Sequence, residues 1–410
     1  MFSRHARPAV IGAVVVLVGL GAPPRVLAEP LTLADALARA RAGSPLVTAA
    51  EAAVAAAEGR ARQAGRPPNP EAGLQSENFA GSGPYGDFRS AETTLSVSQR
   101  LELGGKRRAR QTAAVAEVEV ARLGVSIARA DLDQEVAVRY AEALAARDRL
   151  TLARETAQRA ESLSKAAATL VEAGREPPLR AMRAEAVSRE AAAAVTAAEA
   201  EAVAARRALV TLWNEATEAV ELVEPAAAPV VVPPALVDPA ETLDVRLARA
   251  HRLTARAVID RERAAARPDL TVQAGVRRFE QTGDRALVVG FSAPIPVFDR
   301  NQGAVAAARA DAAAAEARER LALARSVRAL RDARASLVAA DARLDALRGK
   351  ILPQARTAVD LARRGFEAGK FSLLDVLDAQ TALITAQTDL IAARLERAKA
   401  LAALERVAAQ

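Results

Sequence analysis

The sequence has no cysteine, two histidines, one tryptophan and only 3% aromatic residues. Without cysteine the chain forms no disulfide, holds no thiolate-bound metal, uses no thiol nucleophile and carries no lipid on an N-terminal cysteine. His251 is the only histidine after the first 28 residues, too few for an imidazole metal site. No phosphate-binding loop, nucleophile elbow or metal-ligand spacing occurs, so we expect no enzymatic activity, no metal site and no cofactor.

A long apolar run occurs only at the N-terminus. Arg4 and Arg7 precede the apolar residues 9–20, and the small-residue sequence VLA follows at 26–28. This pattern predicts a secretory signal peptide over residues 1–28, with a retained anchor as the alternative. Its removal would lower the Lys and Arg count from 57 to 54, against 50 Asp and Glu, so the small net charge gives no indication of a nucleic-acid partner.

The chain contains an internal duplication. In LVEAGREPPL and GFEAGKFSLL the glycines are Gly174 and Gly369, 195 residues apart, and the same separation aligns Leu103 with Phe298. A repeat of roughly 200 residues is far longer than the units of solenoid proteins. The predicted divisions are a first repeat 29–214, a linker or equatorial segment 215–240 and a second repeat 241–410.

Within each repeat the residue pattern changes twice. A helical pattern stops at prolines, alternating residues predict a β-hairpin, and a long stretch with few prolines predicts a coiled-coil helical hairpin. In the second repeat Leu330, Leu337, Leu344 and Ile351 recur at sevenfold spacing. The predicted elements are helix 31–65, β-hairpin 71–101 and helical hairpin 104–214, then helix 241–267, β-hairpin 269–298 and helical hairpin 302–407.

Two β-hairpins supply four strands, which cannot close into a barrel. A membrane sheet must close because hydrocarbon cannot satisfy the hydrogen bonds of an open edge. Two chains would give a bore filled by side chains, whereas three give twelve strands and an aqueous lumen. The predicted fold is mainly α with a transmembrane β component, assembling as a homotrimer with a 12-strand barrel and a 12-helix periplasmic tunnel.

The duplication and the segment EAGKFSLLDVLDAQ resemble the TolC-like outer-membrane efflux family over essentially the whole mature chain. SVSQRLELGGKR resembles the CzcC-like branch associated with heavy-metal cation efflux. The resemblance implies a passive outer-membrane channel with its tunnel in the periplasm, docked through a periplasmic adaptor onto an inner-membrane resistance-nodulation-division pump. A duct for organic solutes or for type I protein secretion is an alternative function within the channel class. A periplasmic coiled-coil scaffold is the alternative from another class.

The resemblance also implies roles for the turns that end the long helices. Gly174 and Gly369 match the two tip turns where similar proteins receive the adaptor, and a glycine there also ends a helix. Lys370 lies beside the second turn, while Phe371 occupies the position where the family has a basic residue. We therefore expect both turns to belong to an adaptor-docking tip.

Asp375 and Asp378 match the paired aspartates that ring the periplasmic entrance in similar proteins. Their i and i+3 spacing places both on one helix face, where three copies would gather six carboxylates. Asp375 also completes a capping pattern with Ser372, which is the structural alternative. Arg180 occupies the equivalent position in the first repeat, and we hypothesise that it pairs with Asp375 or Asp378 of a neighbouring hairpin.

The strand-to-helix changes contain residues suited to kinks. Gly104 and Gly105 lie at the first change, and Pro294 and Pro296 at the second, so they are predicted hinges between barrel and tunnel. Four basic residues follow the first hinge, where the helix macrodipole disfavours positive charge. These four residues either contact phosphates of the outer-membrane lipid or are simply solvated charges. They are Lys106, Arg107, Arg108 and Arg110.

Overall fold

The computed structural model describes residues 29–214, 220–224 and 237–410. The predicted signal peptide and most of the predicted linker lie outside the described residues. The helices are α1 (Leu33–Gly43), α2 (Pro45–Ala64), α3 (Lys106–Glu172), α4 (Pro178–Val210), α5 (Leu243–Ala265), α6 (Gln302–Ala346), α7 (Leu352–Glu367) and α8 (Leu373–Ala408). The strands are β1 (Glu29–Leu31), β2 (Glu71–Glu77), β3 (Glu92–Leu101), β4 (Val220–Leu222), β5 (Leu270–Phe279) and β6 (Arg285–Ser292).

The helix predicted over residues 31–65 is two helices. Pro45 lacks a backbone N–H and begins α2, and Ser44 serves as both the C-cap of α1 and the N-cap of α2. Gly43 faces Trp213 so closely that an added Cβ would lie 3.0 Å from the Trp213 carbonyl oxygen. The chain therefore bends at this point and packs against the end of the first repeat.

The two β-hairpins join into one antiparallel sheet of four strands in the order β2-β3-β5-β6. The central pair runs from Glu92 opposite Phe279 to Leu101 opposite Leu270. In the part of the chain that the structure describes, β2 and β6 each have one strand neighbour in this sheet. The second hairpin is shorter than the predicted 269–298, because β6 ends at Ser292 just before Pro294.

The long helices form two antiparallel hairpins. Helix α3 has 67 residues, about 100 Å at 1.5 Å per residue, and α4 returns along it. In the second repeat a π-helical turn, Leu347–Ile351, separates α6 from α7. Pro353 is the second residue of α7, so the helical stretch predicted from residue 302 changes its hydrogen-bond pattern close to the place where proline removes a donor.

Buried leucines and small residues hold the helices together. Leu330 and Leu337 cluster with Leu404 of α8, and Leu344 clusters with Leu347 and Ala393, so the seam is buried against the return helix as far as Leu344. At the next sevenfold position the prediction is wrong: Ile351 is 45% exposed and Leu352 is buried instead, because the π-helical turn adds one residue. Midway along the first repeat, the buried Tyr140 hydroxyl lies 2.8 Å from the Leu31 carbonyl oxygen and also contacts the Val223 carbonyl. It fixes the parallel β1–β4 pair against α3.

Candidate channel wall and entrance

The four-stranded sheet has an apolar face. Leu74, Leu95, Val276 and Leu287 lie directly opposite one another across the four strands and are 48–77% exposed. The neighbouring row on the same face also consists of apolar residues: Ala72, Val97, Ala274 and Val289. A continuous exposed apolar face on a sheet marks a surface that contacts lipid or protein.

The opposite face is polar on β2, β3 and β5, while β6 contributes small and apolar residues to it: Ala286, Val288 and Gly290. Gln273 Nε2 donates to Ser96 Oγ at 2.9 Å, and Arg277 Nε donates to Thr94 Oγ1 at 3.0 Å. Because neighbouring residues of a strand point to opposite faces, this alternation gives the sheet one apolar face and one polar face. That is the arrangement of a membrane barrel strand between lipid and an aqueous lumen.

The sheet has a helical end and a far end. Strand β3 leads from Leu101 into α3, so the far end carries the connections 78–91 and 280–284. The apolar face from Leu270 to Val276 is about 20 Å long at roughly 3.3 Å per residue, close to the height of an outer-membrane apolar band. The rings of Phe79 and Phe88 stack at the far end with centroids 5.5 Å apart.

The first strand-to-helix change depends on two glycines. Gly104 and Gly105 have φ of +70° and +78°, in the left-handed region that favours glycine. A Cβ on Gly104 would come within 2.2 Å of Arg267 Cδ. Lys106 Nζ then pairs with Asp269 at 2.7 Å, and Leu103 N–H donates to the same carboxylate at 3.3 Å. These contacts tie the start of α3 to the beginning of β5.

A second clamp at this change joins Glu102 and Arg110. Arg110 Nη1 lies 2.6 Å from Glu102 Oε1, and the same guanidinium donates to the carbonyl oxygens of Ala64 and Arg66. The hydrogen bond from Arg110 lowers the pKa of the Glu102 carboxyl. Two members of the predicted basic cluster, Lys106 and Arg110, are therefore paired within the chain, whereas Arg107 and Arg108 are exposed.

The second strand-to-helix change is built differently. Pro294 and Pro296 lie in the connection between β6 and α6, where Ile295 and Phe298 are exposed. The connection ends at Asn301, whose φ is +57° and whose Nδ2 donates to the Glu262 backbone carbonyl at 2.9 Å. Asn301 thus attaches the start of α6 to α5, and no sequence pattern had indicated it.

The two tip turns have the same hydrogen bonds. Gly174 N–H donates to Val171 O at 3.0 Å, and the next residue, Arg175, donates to Leu170 O at 2.9 Å. In the second repeat Gly369 donates to Phe366 O, and Lys370 to Gly365 O. Both glycines have positive φ, so each helix ends in a Schellman motif, and the duplication extends to backbone geometry.

The side chains around the two tips differ. At the second tip the Phe371 ring lies over Gly365, where an added Cβ would come within 2.1 Å of it. At the first tip Arg180 Nη1 pairs with Glu176 Oε1 at 2.7 Å. Within the chain, therefore, Arg180 has a partner in its own turn, and its pairing with an aspartate of a neighbouring hairpin stays a prediction.

Asp375 takes part in a capping box. Its Oδ2 accepts from Ser372 N–H at 2.8 Å and from Ser372 Oγ at 2.7 Å, while its own N–H donates to Ser372 Oγ. The hydrogen bonds from Ser372 lower the pKa of the Asp375 carboxyl. Asp378 lies exposed one turn further along α8. The two carboxylates thus share a helix end, but Ser372 engages only the first.

Metal ligands do not gather among the described residues: no group of three His, Cys, Asp or Glu side chains could hold an ion. His251 is exposed beside a cavity of about 430 Å³ that also contacts Asp244 and Asp311. No helix in the described ranges is long and apolar enough to cross a membrane.

A two-faced sheet joined to helices about 100 Å long, each with a shorter return helix, defines a channel-forming outer-membrane protein. Residues 36–215 and 240–410 match the family described as outer membrane efflux protein, and the chain belongs to that family. The predicted TolC-like family and mainly helical fold with a β component are therefore confirmed, and the family consists of channels rather than enzymes.

Two named relatives are similar to this chain in sequence, and one solved structure is similar to it in fold. The chain is 32% identical over 374 residues to the cobalt-zinc-cadmium resistance protein CzcC of Cupriavidus metallidurans, covering 89% of this chain and 86% of CzcC. It is 36% identical over 314 residues to the nickel and cobalt resistance protein CnrC of the same organism, covering 76% and 74%. The outer membrane protein VceC of Vibrio cholerae superposes with a TM-score of 0.77 at 23% identity, covering 92% and 95%.

Proposed function

We propose that the protein is the outer-membrane channel of a tripartite resistance-nodulation-division efflux system. Three copies form a 12-strand barrel and a 12-helix tunnel in the periplasm, and the channel conducts its cargo passively to the exterior. The observation that carries this proposal is the sheet with one apolar and one polar face, whose outer strands β2 and β6 are available to neighbouring copies. Energy would come from the inner-membrane pump.

The cargo that we propose is heavy-metal cations. Support comes from the names of CzcC and CnrC, which refer to resistance to cobalt, zinc, cadmium and nickel. A duct for organic solutes or for type I protein secretion is the alternative.

The tip is the proposed docking site for the periplasmic adaptor. Gly174 and Gly369 shape two equivalent turns, and Leu179 and Leu374, again 195 residues apart, are exposed beside them. Exposed apolar side chains next to Lys370 and Arg180 suit a partner helix with apolar and acidic residues. Asp375 and Asp378 would line the entrance at the same level.

Deletion of the gene tests the cargo. We expect the deletion strain to become sensitive to cobalt, zinc, cadmium or nickel salts while its tolerance of organic toxicants stays unchanged, and the wild-type gene to restore resistance. As a control, the complementing protein should sediment with the outer membrane. Sensitivity to organic toxicants alone would contradict the metal proposal and favour the organic-solute duct.

A further inference from the structure

Three charged residues meet at the far end of the polar face. Glu77 of β2 and Glu92 of β3 lie directly opposite each other. Arg277 of β5 donates from Nη1 to Glu92 Oε2 at 2.8 Å, and its Nη2 lies 3.3 Å from Glu77 Oε2. One guanidinium therefore joins three neighbouring strands through a single charge cluster.

The cluster keeps an excess of negative charge. Like charges directly opposite each other on a sheet are destabilising, and Arg277 offsets that repulsion. Two carboxylates and one guanidinium leave one net negative charge per chain. The side chains of Arg277, Glu92 and Glu77 are 31%, 23% and 41% exposed, so the charge remains accessible to water on the polar face.

We propose that Glu77, Glu92 and Arg277 determine ion selectivity at the outer end of the channel. This inference rests on the proposed function, in which the polar face lines the lumen and three copies surround it. Three clusters around the aqueous lumen favour cations over anions, because a shared negative potential concentrates cations there. Arg277 limits this preference and prevents strong retention of divalent cations, which must leave as readily as they enter.

The neighbouring arginine provides a matched control. Arg278 follows Arg277 on β5 and points to the opposite face, where it pairs with Glu280 at 3.1 Å. Removing either guanidinium changes the net charge of the chain by the same amount. Only the removal of Arg277 changes the charge on the face assigned to the lumen.

The test is the zero-current potential of the purified protein in planar lipid bilayers across a KCl gradient. Arg277→Gln is expected to raise the permeability ratio of K⁺ over Cl⁻ by roughly threefold near 0.1 M salt, an effect that fades near 1 M salt as the Debye length shrinks. Glu77→Gln should lower the ratio, and Arg278→Gln should leave it at the wild-type value.

The variants separate failure of this inference from failure of the proposed function. A conducting protein in which Arg277→Gln and Glu77→Gln keep the wild-type ratio, or in which Arg278→Gln changes it equally, overturns the inference alone. If the wild-type protein does not conduct, the proposed function fails and this inference fails with it. Should Arg277→Gln not assemble, Glu77→Gln decides, because it leaves the Arg277–Glu92 contact in place.

Discussion

Asp375 and Asp378 lie one helical turn apart but have different surroundings. Asp375 accepts hydrogen bonds from the backbone and side chain of Ser372, whereas Asp378 is exposed beyond the cap. A substitution at Asp375 therefore changes the helix start as well as the local charge. A substitution at Asp378 changes mainly the charge, so the two residues separate the entrance role from the capping role.

We expect Asp378→Asn to alter the single-channel conductance of the reconstituted protein while hydrogen exchange at residues 372–376 stays as in the wild type. Asp375→Asn should speed that exchange, because a neutral side chain accepts the Ser372 N–H hydrogen bond more weakly. Ser372→Ala is the control for a lost cap. If Asp378→Asn conducts normally and Asp375→Asn only reproduces Ser372→Ala, the pair has no role at the entrance.

The sequence was sufficient for some residue roles and insufficient for others. The pattern from Ser372 to Asp375 is local, and the capping box that it predicts is present. The packing of Phe371 over Gly365 depends on the chain reversing at Gly369, which brings residue 371 back onto the helix that it has just left. Spacing within one helix cannot indicate such a contact.

At the scale of elements, the junction between β3 and α3 is a clamp. Glu102 is 11% exposed and Arg110 is 36% exposed, so this ion pair is better shielded from water than the surface pairs along the helices. Arg110 also binds two backbone carbonyl oxygens near the end of α2. The clamp thus joins three elements where the sheet meets the helices.

Glu102→Gln should lower the free energy of unfolding by roughly 1 kcal/mol near neutral pH, a discounted value because solvent screens part of Arg110. The pKa of Glu102 is lowered in the folded state, so its contribution is complete above the ordinary value of 4.5 and is lost as pH falls through the lowered pKa. Denaturant unfolding in detergent should therefore show the wild type and the variant converging in acid.

Glu58→Gln is the matched control for this prediction. Glu58 pairs with Arg122 at 3.0 Å, but both side chains are exposed. Loss of the Glu58–Arg122 ion pair should change the free energy of unfolding by less than about 0.5 kcal/mol, both near neutral pH and in acid. Equal effects of the two substitutions would show that the junction clamp is no stronger than a surface ion pair.

Periodicity and proline positions predicted most of the elements but not their ends. The sevenfold leucines mark a buried seam, since that spacing follows from the geometry of one helix pair. The break at Ser44 has a local signal in Pro45, which begins α2, whereas the contact of Gly43 with Trp213 at the same bend joins residues that are distant in sequence. The π-helical turn before Pro353 moves the buried position from Ile351 to Leu352, a one-residue shift that the sevenfold pattern did not indicate.

On the scale of the whole molecule, the duplication explains why one sheet can form from two hairpins. The two repeats contribute two strands each, and the pairing of β3 with β5 joins them. The sequence predicted the number of strands, but the pairing of the two hairpins became known only from the structure, because the three helices α3, α4 and α5 separate β3 from β5. Closure by three copies stays a prediction, since the described chain contributes a single four-stranded sheet.

That closure requires β6 of one copy to pair with β2 of the next, and the absence of native cysteine allows a clean test. Gln75→Cys places a thiol on the polar face of β2. The substitutions Ala286→Cys, Val288→Cys and Gly290→Cys place a second thiol at alternate positions on the polar face of β6. Mild oxidation should convert at least one of these double variants into covalent dimers and trimers on a denaturing gel.

Leu287→Cys combined with Gln75→Cys provides the control, because Leu287 points to the apolar face and its thiol cannot reach across the sheet. Cross-linking should follow the alternation of β6: present for one or two polar-face positions and absent for Leu287. Since antiparallel pairing fixes one register, the best position also identifies the residue opposite Gln75 in the neighbouring copy. If none of the three polar-face double variants forms covalent dimers or trimers, β6 of one copy does not pair with β2 of the next. The barrel then cannot close through these strands, because both edges would lack hydrogen-bond partners in the membrane.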